Sequence, residues 1–361
     1  MNFILALLIC GVAVLITRKL SFPSIPVYLF LGLFFGRSAL NIIHSDEISR
    51  FIGEIGLVML LFSIGLELKK ESLLKNKKAI IHSGIIDLIL NLPLIYLGAI
   101  FLGFSSSEAL IIASALYLSS SAIVLQSLIE NRKLIFPESE TIVWIMVFED
   151  LMIIPLVSIL SAEGNLSDTL QTFSRILILF LVLIILSRIL DRVGEPLKRV
   201  FRRDDEIPLI LGFSLASISI PLQKIIQISE ALLAISLGVL LADIKELRGI
   251  IRPFKEVFIV IFFFFFAVSA EISLSSLSLT AIVLLLISLI SKFLSGVLCG
   301  KLIHRSLHSG LEIGLTIIPR GEFSILIASL FASGKVASLI ILITLLSSII
   351  GGFVQKFYQR S

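Results

Sequence analysis

The run Trp144-Ile-Met-Val-Phe-Glu149-Asp150-Leu-Met-Ile-Ile-Pro155 sets two adjacent carboxylates in the middle of an apolar stretch, 140–161. About 20 mostly apolar residues cross the hydrocarbon core of a bilayer. An ionisable group at the centre of such a helix costs about 2.5–3.5 kcal/mol on insertion scales. Either this stretch is no membrane span, or the acids are retained for what they do. Composition decides for the membrane. Of 361 residues, 57% are hydrophobic and 16% charged, with a mean hydropathy of +1.09. A soluble domain is about 25% charged, so this chain has too few polar residues to cover a water-facing globule. A cytosolic enzyme, a secreted disulfide scaffold and a disordered protein are excluded. Cys10 and Cys299 both lie in apolar runs and suggest neither a disulfide framework nor a metal site.

Thirteen stretches have the length and hydropathy of spans: 3–17, 24–41, 51–67, 79–103, 108–129, 140–161, 171–190, 207–222, 229–243, 254–269, 276–303, 309–333 and 336–355. The first is read as a span and not as a signal peptide, because Arg18 and Lys19 follow it and no basic start precedes it. With the N-terminus outside, 23 Lys and Arg fall in inside segments and four (Arg37, Arg50, Lys224, Lys335) in outside ones. That bias predicts an N-out, C-in topology. The same bias accounts for the formal charge of +4 without nucleic-acid binding. No stretch leaves room for a soluble domain, so the whole chain, 1–361, reads as one membrane domain. The longest connection, about 190–206, separates two groups of five helices. Odd-numbered groups insert with opposite orientation, as an inverted repeat requires.

Six ionisable groups lie deep in spans: Asp87, Glu149, Asp150, Lys292, Arg320 and Glu322. Glu149 and Asp150 are about 100° apart around a helix, so one can face a cavity while the other faces a packing partner. Two carboxylates this close in a low dielectric do not both ionise cheaply, which suits a site that trades a proton for a cation. Lys292 is a candidate partner for Glu149; the alternative is a lysine reaching for the interface near Lys301, ~14 Å away. Asp87 is a candidate relay group, or a partner for a charge such as Arg320.

Two spans are expected to break. Tyr117-Leu-Ser119-Ser120-Ser121 places three serines in mid-membrane, where they serve either a site or close helix packing. Thr316-Ile-Ile-Pro319-Arg320-Gly321-Glu322 surrounds a charged pair with residues that loosen a helix. Irregular backbone at membrane depth is tolerated only where protein or water covers it. Paired interruptions mark a transporter's midplane site. The Phe262–Phe266 run reads as lipid-facing or packed bulk.

Four segments together resemble the monovalent cation:proton antiporter-2 family, with its Kef-type potassium and NapA-type sodium exchangers. They are Leu61-Phe-Ser-Ile-Gly-Leu-Glu-Leu-Lys69, Ser119-Ser-Ser-Ala-Ile-Val-Leu-Gln126, Phe148-Glu-Asp-Leu-Met-Ile-Ile-Pro155 and Arg320-Gly-Glu-Phe-Ser324. Their order and spacing match the family from about Pro23 to Phe353. The resemblance implies an all-α membrane fold of about thirteen helices, with an inverted repeat and two discontinuous helices. It also implies a core domain that includes about 79–161 and 254–333, with the remainder forming a scaffold through which a homodimer assembles. Asp150 matches the aspartate that binds cation or proton. Glu149 stands at the preceding position, and Lys292 is similar to the lysine of electrogenic members. Glu149 departs from both the Asp-Asp and the Gln-Asp forms of this pair.

The expected activity is exchange of Na+ or K+ for H+ by alternating access, with no cofactor beyond the transported ions and no structural metal. Asp150 and Glu149 would bind, Ser119 and Ser120 would complete the oxygen shell that hard cations prefer, and Lys292, Arg320 and Glu322 would couple the helices. A bacterial-type inner membrane is the expected location. With no nucleotide-binding domain after the last span, any regulation would come from a separate cytoplasmic subunit. A cation channel, or a potassium efflux pathway without strict proton coupling, is the alternative; no symmetric selectivity loop favours it. An intramembrane aspartyl protease using Asp87 and Asp150 lacks the Gly-x-Gly-Asp setting of that class.

Overall fold

The protein is described by a computed structural model covering residues 2–20, 24–67, 70–130, 132–161, 185–186, 188, 199–203, 205–226, 230–269 and 279–358. Among these residues all regular structure is helical. The helices are α1 (Asn2–Leu20), α2 (Ser24–Phe35), α3 (Glu47–Glu67), α4 (Lys70–Phe101), α5 (Ser106–Tyr117), α6 (Ser121–Glu130) and α7 (Pro137–Leu160). They continue as α8 (Ile207–Ser217), α9 (Ser219–Ile226), α10 (Glu230–Leu240), α11 (Lys245–Ser269) and α12 (Leu279–Cys299), the last running into a π turn at Gly300–His304. Then come α13 (Leu307–Thr316), α14 (Glu322–Phe331) and α15 (Gly334–Tyr358). Helices dominate because lipid offers no partner for a backbone N–H or C=O, and a helix pairs its own. The expected span at 171–190 lies outside the described residues save for three positions. The other twelve coincide with helices, including the short ones at 3–17 and 229–243.

Six of these helical segments are long and apolar enough to cross a bilayer, among them Asn76–Phe101, Pro137–Leu160 and Leu279–His304. The sidedness of α12 fits lipid as solvent. Ile282, Leu286, Ile290, Leu294 and Leu298 form an exposed apolar stripe, while Ser288, Ser291, Lys292 and Ser295 are buried. That is the reverse of a soluble amphipathic helix, with polar groups turned inward as membrane depth demands. The protein is an integral membrane protein.

The chain forms two compact units. The first comprises Met1–Ser45, Asn76–Ile153 and Phe263–Ser361. In it α12 and α13 run with backbones in contact: a Cβ on Gly296 would lie 2.3 Å from Gly314 Cα, and one on Gly300 would lie 2.2 Å from Gly310 Cα. An apolar cluster of Val124, Leu128, Ile142, Ile145, Met146, Cys299, Ile313 and Ile317 joins α6, α7, α12 and α13. Phe263 and Phe264 are fully buried, so that part of the phenylalanine run is packed and not lipid-facing.

The second unit comprises Asp46–Lys75 and Ile154–Phe262. Its closest pairing is α3 on α10, where Gly65 meets Gly238. Helix α3 starts at an Asp46 cap, whose Oδ1 accepts the Ser49 N–H at 2.8 Å. Phe213 of α8 packs on Phe254 and Phe258 of α11, with ring centroids 5.2 and 6.0 Å apart.

Candidate functional site

Both expected interruptions are present, and they meet. The first leaves Leu118, Ser119 and Ser120 outside α5 and α6; the second leaves Ile317 through Gly321 outside α13 and α14. All eight residues are buried, so each freed backbone group needs a partner. The two breaks supply many of these to each other. Ser120 N–H donates to the Pro319 carbonyl at 2.8 Å. The Ser119 hydroxyl lies 3.1 Å from the Ile317 carbonyl. Arg320 Nη1 donates to the Tyr117 carbonyl at 3.2 Å, and its Nη2 to the Ser288 carbonyl of α12 at 2.7 Å. Helix α15 adds two more partners: the Ser348 hydroxyl donates to Arg320 O at 2.5 Å, and Gln355 Nε2 to Thr316 O at 2.6 Å. Gly321 is required by closeness, since a Cβ there would fall 2.4 Å from the Ser120 side chain.

The charges complement the half-helix ends. A helix carries partial positive charge at its N-terminus and partial negative charge at its C-terminus. The Arg320 guanidinium caps the C-terminal carbonyl of α5 at Tyr117. The Glu149 carboxylate accepts the Ser119 N–H at 2.5 Å, just ahead of the N-terminus of α6. Its other oxygen takes the Ser119 hydroxyl at 3.0 Å and the Lys292 ammonium. Lys292 Nζ also donates to Asp87 Oδ2 at 2.7 Å and sits 5.0 Å from the centroid of the Tyr117 ring. Asp87 Oδ1 accepts the Ser295 hydroxyl at 2.6 Å and Asn91 Nδ2 at 2.7 Å. The Ser291 hydroxyl in turn donates to Asn91 Oδ1 at 2.8 Å. Asp87, Lys292 and Arg320 are 0% exposed and Glu149 2%, so two acidic and two basic side chains meet inside the protein. Asp150, the next residue along α7, is only half-buried. Five residues beyond it Pro155 breaks the ladder, so that the Leu151 carbonyl lacks its i+4 donor.

The family model described as "Sodium/hydrogen exchanger, transmembrane" matches residues 4–359. The chain belongs to the sodium/hydrogen exchanger family. The K(+)/H(+) antiporter subunit KhtU of Bacillus subtilis is 31% identical to this exchanger over 375 positions, covering 98% of this chain and 92% of its own. The ammonium/H(+) antiporter subunit AmhT of Alkalihalophilus pseudofirmus is 27% identical, covering 98% and 91%. The solved structure of the sodium proton antiporter MjNhaP1 from Methanocaldococcus jannaschii at pH 8 superposes with a TM-score of 0.70 across 99% of this chain and 98% of that one. At 21% identity this establishes a shared antiporter fold. The resemblance carried by the four motifs thus extends over nearly the whole exchanger.

The structure brings Asp87, Glu149, Ser119, Lys292 and Arg320 together in the first unit, with Ser120 on the adjoining break. Lys292 is fully buried on Glu149 and does not reach for the interface. Asp87 pairs with Lys292, and Arg320 is spent on carbonyls of α5 and α12. Glu322 opens α14, and its side chain lies outside the described residues. Four members of the exchanger's network pass unremarked in the sequence reading: Asn91, Tyr117, Ser291 and Ser295. Three carry a signal. Asn91 follows Asp87 by one helical turn, and Ser288, Ser291 and Ser295 form a polar stripe at three- and four-residue spacing beside Lys292. Tyr117 has no such mark, because an aromatic in an apolar span is ordinary.

Proposed function

We propose that the protein is a secondary antiporter that exchanges a monovalent cation, Na+ or K+, for H+ by alternating access. The observation that carries this reading is the crossing of two broken helices beside adjacent acids, one locked in an ion pair and the other half-buried. Asp150 is the group that binds a cation when ionised and a proton otherwise, never both. Glu149 is the second acid. Its bond to Lys292 can loosen when a cation arrives, and Ser119, Ser120 and nearby carbonyls supply further oxygen, as hard cations require. Arg320 ties the crossing together by holding the carbonyls of α5 and α12. An empty, ionised Asp150 crosses hydrocarbon poorly, which enforces exchange over leak.

On this reading the protein sits N-out and C-in in a bacterial-type inner membrane, as the lysine and arginine bias favours. It works as a homodimer. KhtU and AmhT are each named a subunit of an antiporter, which favours a separate cytoplasmic regulatory subunit here as well. AmhT is named for ammonium, so NH4+ joins the candidate cations.

The test is proton flux in proteoliposomes under an imposed pH gradient, adding Na+, K+, Li+ and NH4+ in turn. Cation-triggered proton movement that Asp150→Asn abolishes is the expected result. Proton movement that survives the substitution overturns the role of Asp150 and leaves the exchange standing. Cation leak without coupled protons replaces the antiporter with a channel.

A further inference from the structure

We infer that the end of the first unit where α4 begins and α12 closes binds an anionic phospholipid: Lys77, Lys78, Lys301 and Arg305 hold the phosphate, and the exposed apolar faces of α4 and α12 hold the acyl chains. The inference does not depend on which ion the protein moves.

Helices α4 and α12 touch in one antiparallel register. Asn91 Oδ1 accepts the Ser291 hydroxyl at 2.8 Å, Asp87 Oδ1 accepts the Ser295 hydroxyl at 2.6 Å, and the Ser83 carbonyl accepts the Cys299 thiol at 3.7 Å. Every step of four residues back along α4 is matched by four forward along α12. From Ser83, a further ~9 Å along α4 at 1.5 Å per residue reaches Lys78 and Lys77. That is the level of the π turn Gly300–His304 and of Arg305, which caps it. Lys77, Lys78, Lys301 and Arg305 are all exposed. Among the described residues none of them makes an ion pair. Of the acids at this end, Glu312 pairs with Lys133 at 2.7 Å and Glu138 accepts the Ser309 hydroxyl at 2.6 Å, leaving Glu140 exposed. Arg305 has a φ of 53°, a left-handed conformation that glycine adopts without cost. The arginine takes that strain and sets a guanidinium at the level of the lysines.

Next to the cations the surface is apolar. Ile81, Ile85 and Ile89 are exposed at four-residue spacing on α4, and Ile290, Leu294, Leu298 and Leu302 at the same spacing on α12. Leu302 falls between Lys301 and Arg305, so the lipid-facing stripe of α12 runs directly into the charges. A basic end on a spanning helix is ordinary in itself. Two features go beyond that here. The cations come from two helices in contact but far apart in sequence, so one phosphate can bridge them, and an apolar stripe leads away from each pair. A soluble anion would meet the cations alone, whereas a phospholipid meets cations and stripes together. A phosphodiester accepts charged hydrogen bonds from ammonium and guanidinium alike. A choline headgroup sets a cation of its own beside the site and is disfavoured. The same two helices are joined inside the protein by Asp87 and Lys292, so a lipid across their ends clamps that pair from outside.

The experiment is thermal unfolding of the full chain in a nonionic detergent, with phosphatidylglycerol, phosphatidylcholine or soluble glycerol phosphate added in turn, and native mass spectrometry to count the lipids retained. A ligand that binds the folded state raises the unfolding midpoint with its concentration. Phosphatidylglycerol should raise it, and the other two should not. Lys77→Gln, Lys78→Gln, Lys301→Gln and Arg305→Gln should each weaken phosphatidylglycerol binding about fivefold, and the four together should lose the shift. These side chains are exposed, so without lipid the variants should unfold as the parent does. Lys301→Arg keeps the charge and should keep the shift. Arg202→Gln with Arg203→Gln removes cations of the second unit that pair with Glu246 and Asp205, and should keep the shift as well. No shift with phosphatidylglycerol, or an equal one with phosphatidylcholine or glycerol phosphate, overturns the lipid site. A shift that survives the fourfold variant overturns its location. A shift lost in the Arg202 and Arg203 control would be a response to net charge alone and overturns the site too.

Discussion

Two helix crossings, one in each unit, bring backbones into direct contact by different means. In the second unit α3 and α10 meet glycine to glycine. A Cβ on Gly238 would lie 2.2 Å from the Phe62 carbonyl oxygen, and one on Gly65 would lie 2.2 Å from the Ile235 carbonyl oxygen. Both helices stay regular, and dispersion between close backbones holds them. In the first unit the breaks around Ser119 and Pro319 also touch, and Gly321 again makes room. There the helices have surrendered their own hydrogen bonds and depend on side chains from α7 and α15, while Arg320 of the second break reaches the α12 backbone. The difference separates a contact that only holds from one that can also respond. Regular helices offer a cation nothing, because every backbone group is paired. Broken ones present carbonyls and N–H groups whose partners can be exchanged.

The largest effect should come from removing the charge at the crossing in the first unit. Lys292→Met leaves Asp87 and Glu149 buried without their shared cation, and breaking a buried pair costs about 3–5 kcal/mol. Thermal unfolding in detergent should fall accordingly, and the triple variant with Asp87→Asn and Glu149→Gln should recover most of the loss. A single variant as stable as the parent would show that the buried charges do not support this crossing. Next is Gly238→Ala. The nearest atom there is the Phe62 carbonyl oxygen, backbone with no rotamer to yield, and overpacking of this kind costs about 1–3 kcal/mol. Unfolding temperature should drop while the cation dependence of transport stays as it was; a change in cation dependence would erase the distinction between the two crossings.

The smallest effect belongs to the start of α3. The Ser49 hydroxyl and N–H hold the Asp46 carboxyl below the usual aspartate range. A lowered value in the folded state means that the cap contributes fully above the ordinary aspartate value and is lost as pH falls through the folded one. Amide exchange in the first turn of α3 should therefore stay slow to below the ordinary aspartate range and quicken only under stronger acid. Asp46→Ala should remove that pH dependence and cost about 1 kcal/mol of local stability.

Much of the first crossing is legible in the chain. Serines offer the backbone other partners, proline withholds a donor and glycine tolerates close approach, so 119–121 and 319–321 announce the breaks. Glu149 and Lys292 announce themselves by what it costs to bury them. The pairing of Asp87 is not legible. It joins positions 205 residues apart, and Arg320 and Lys292 are equally plausible partners for it until the helices are placed. The second crossing is nearly silent, because Gly65 and Gly238 carry no cost in an apolar span and look like any other glycine. Sequence speaks most clearly where a residue is expensive, and close packing of small residues is cheap.

The glycine contacts between α12 and α13 act as a ratchet. Gly296 faces Gly314 and Gly300 faces Gly310, so the two helices run antiparallel with matched notches four residues apart. A slide of one helix along the other by less than a full notch would drive side chains into backbone. The next register is about 6 Å away. Lys292 on α12 and the break that follows α13 are therefore geared to one another. Any displacement of α12 must take α13 along as a single piece and find its freedom at other joints.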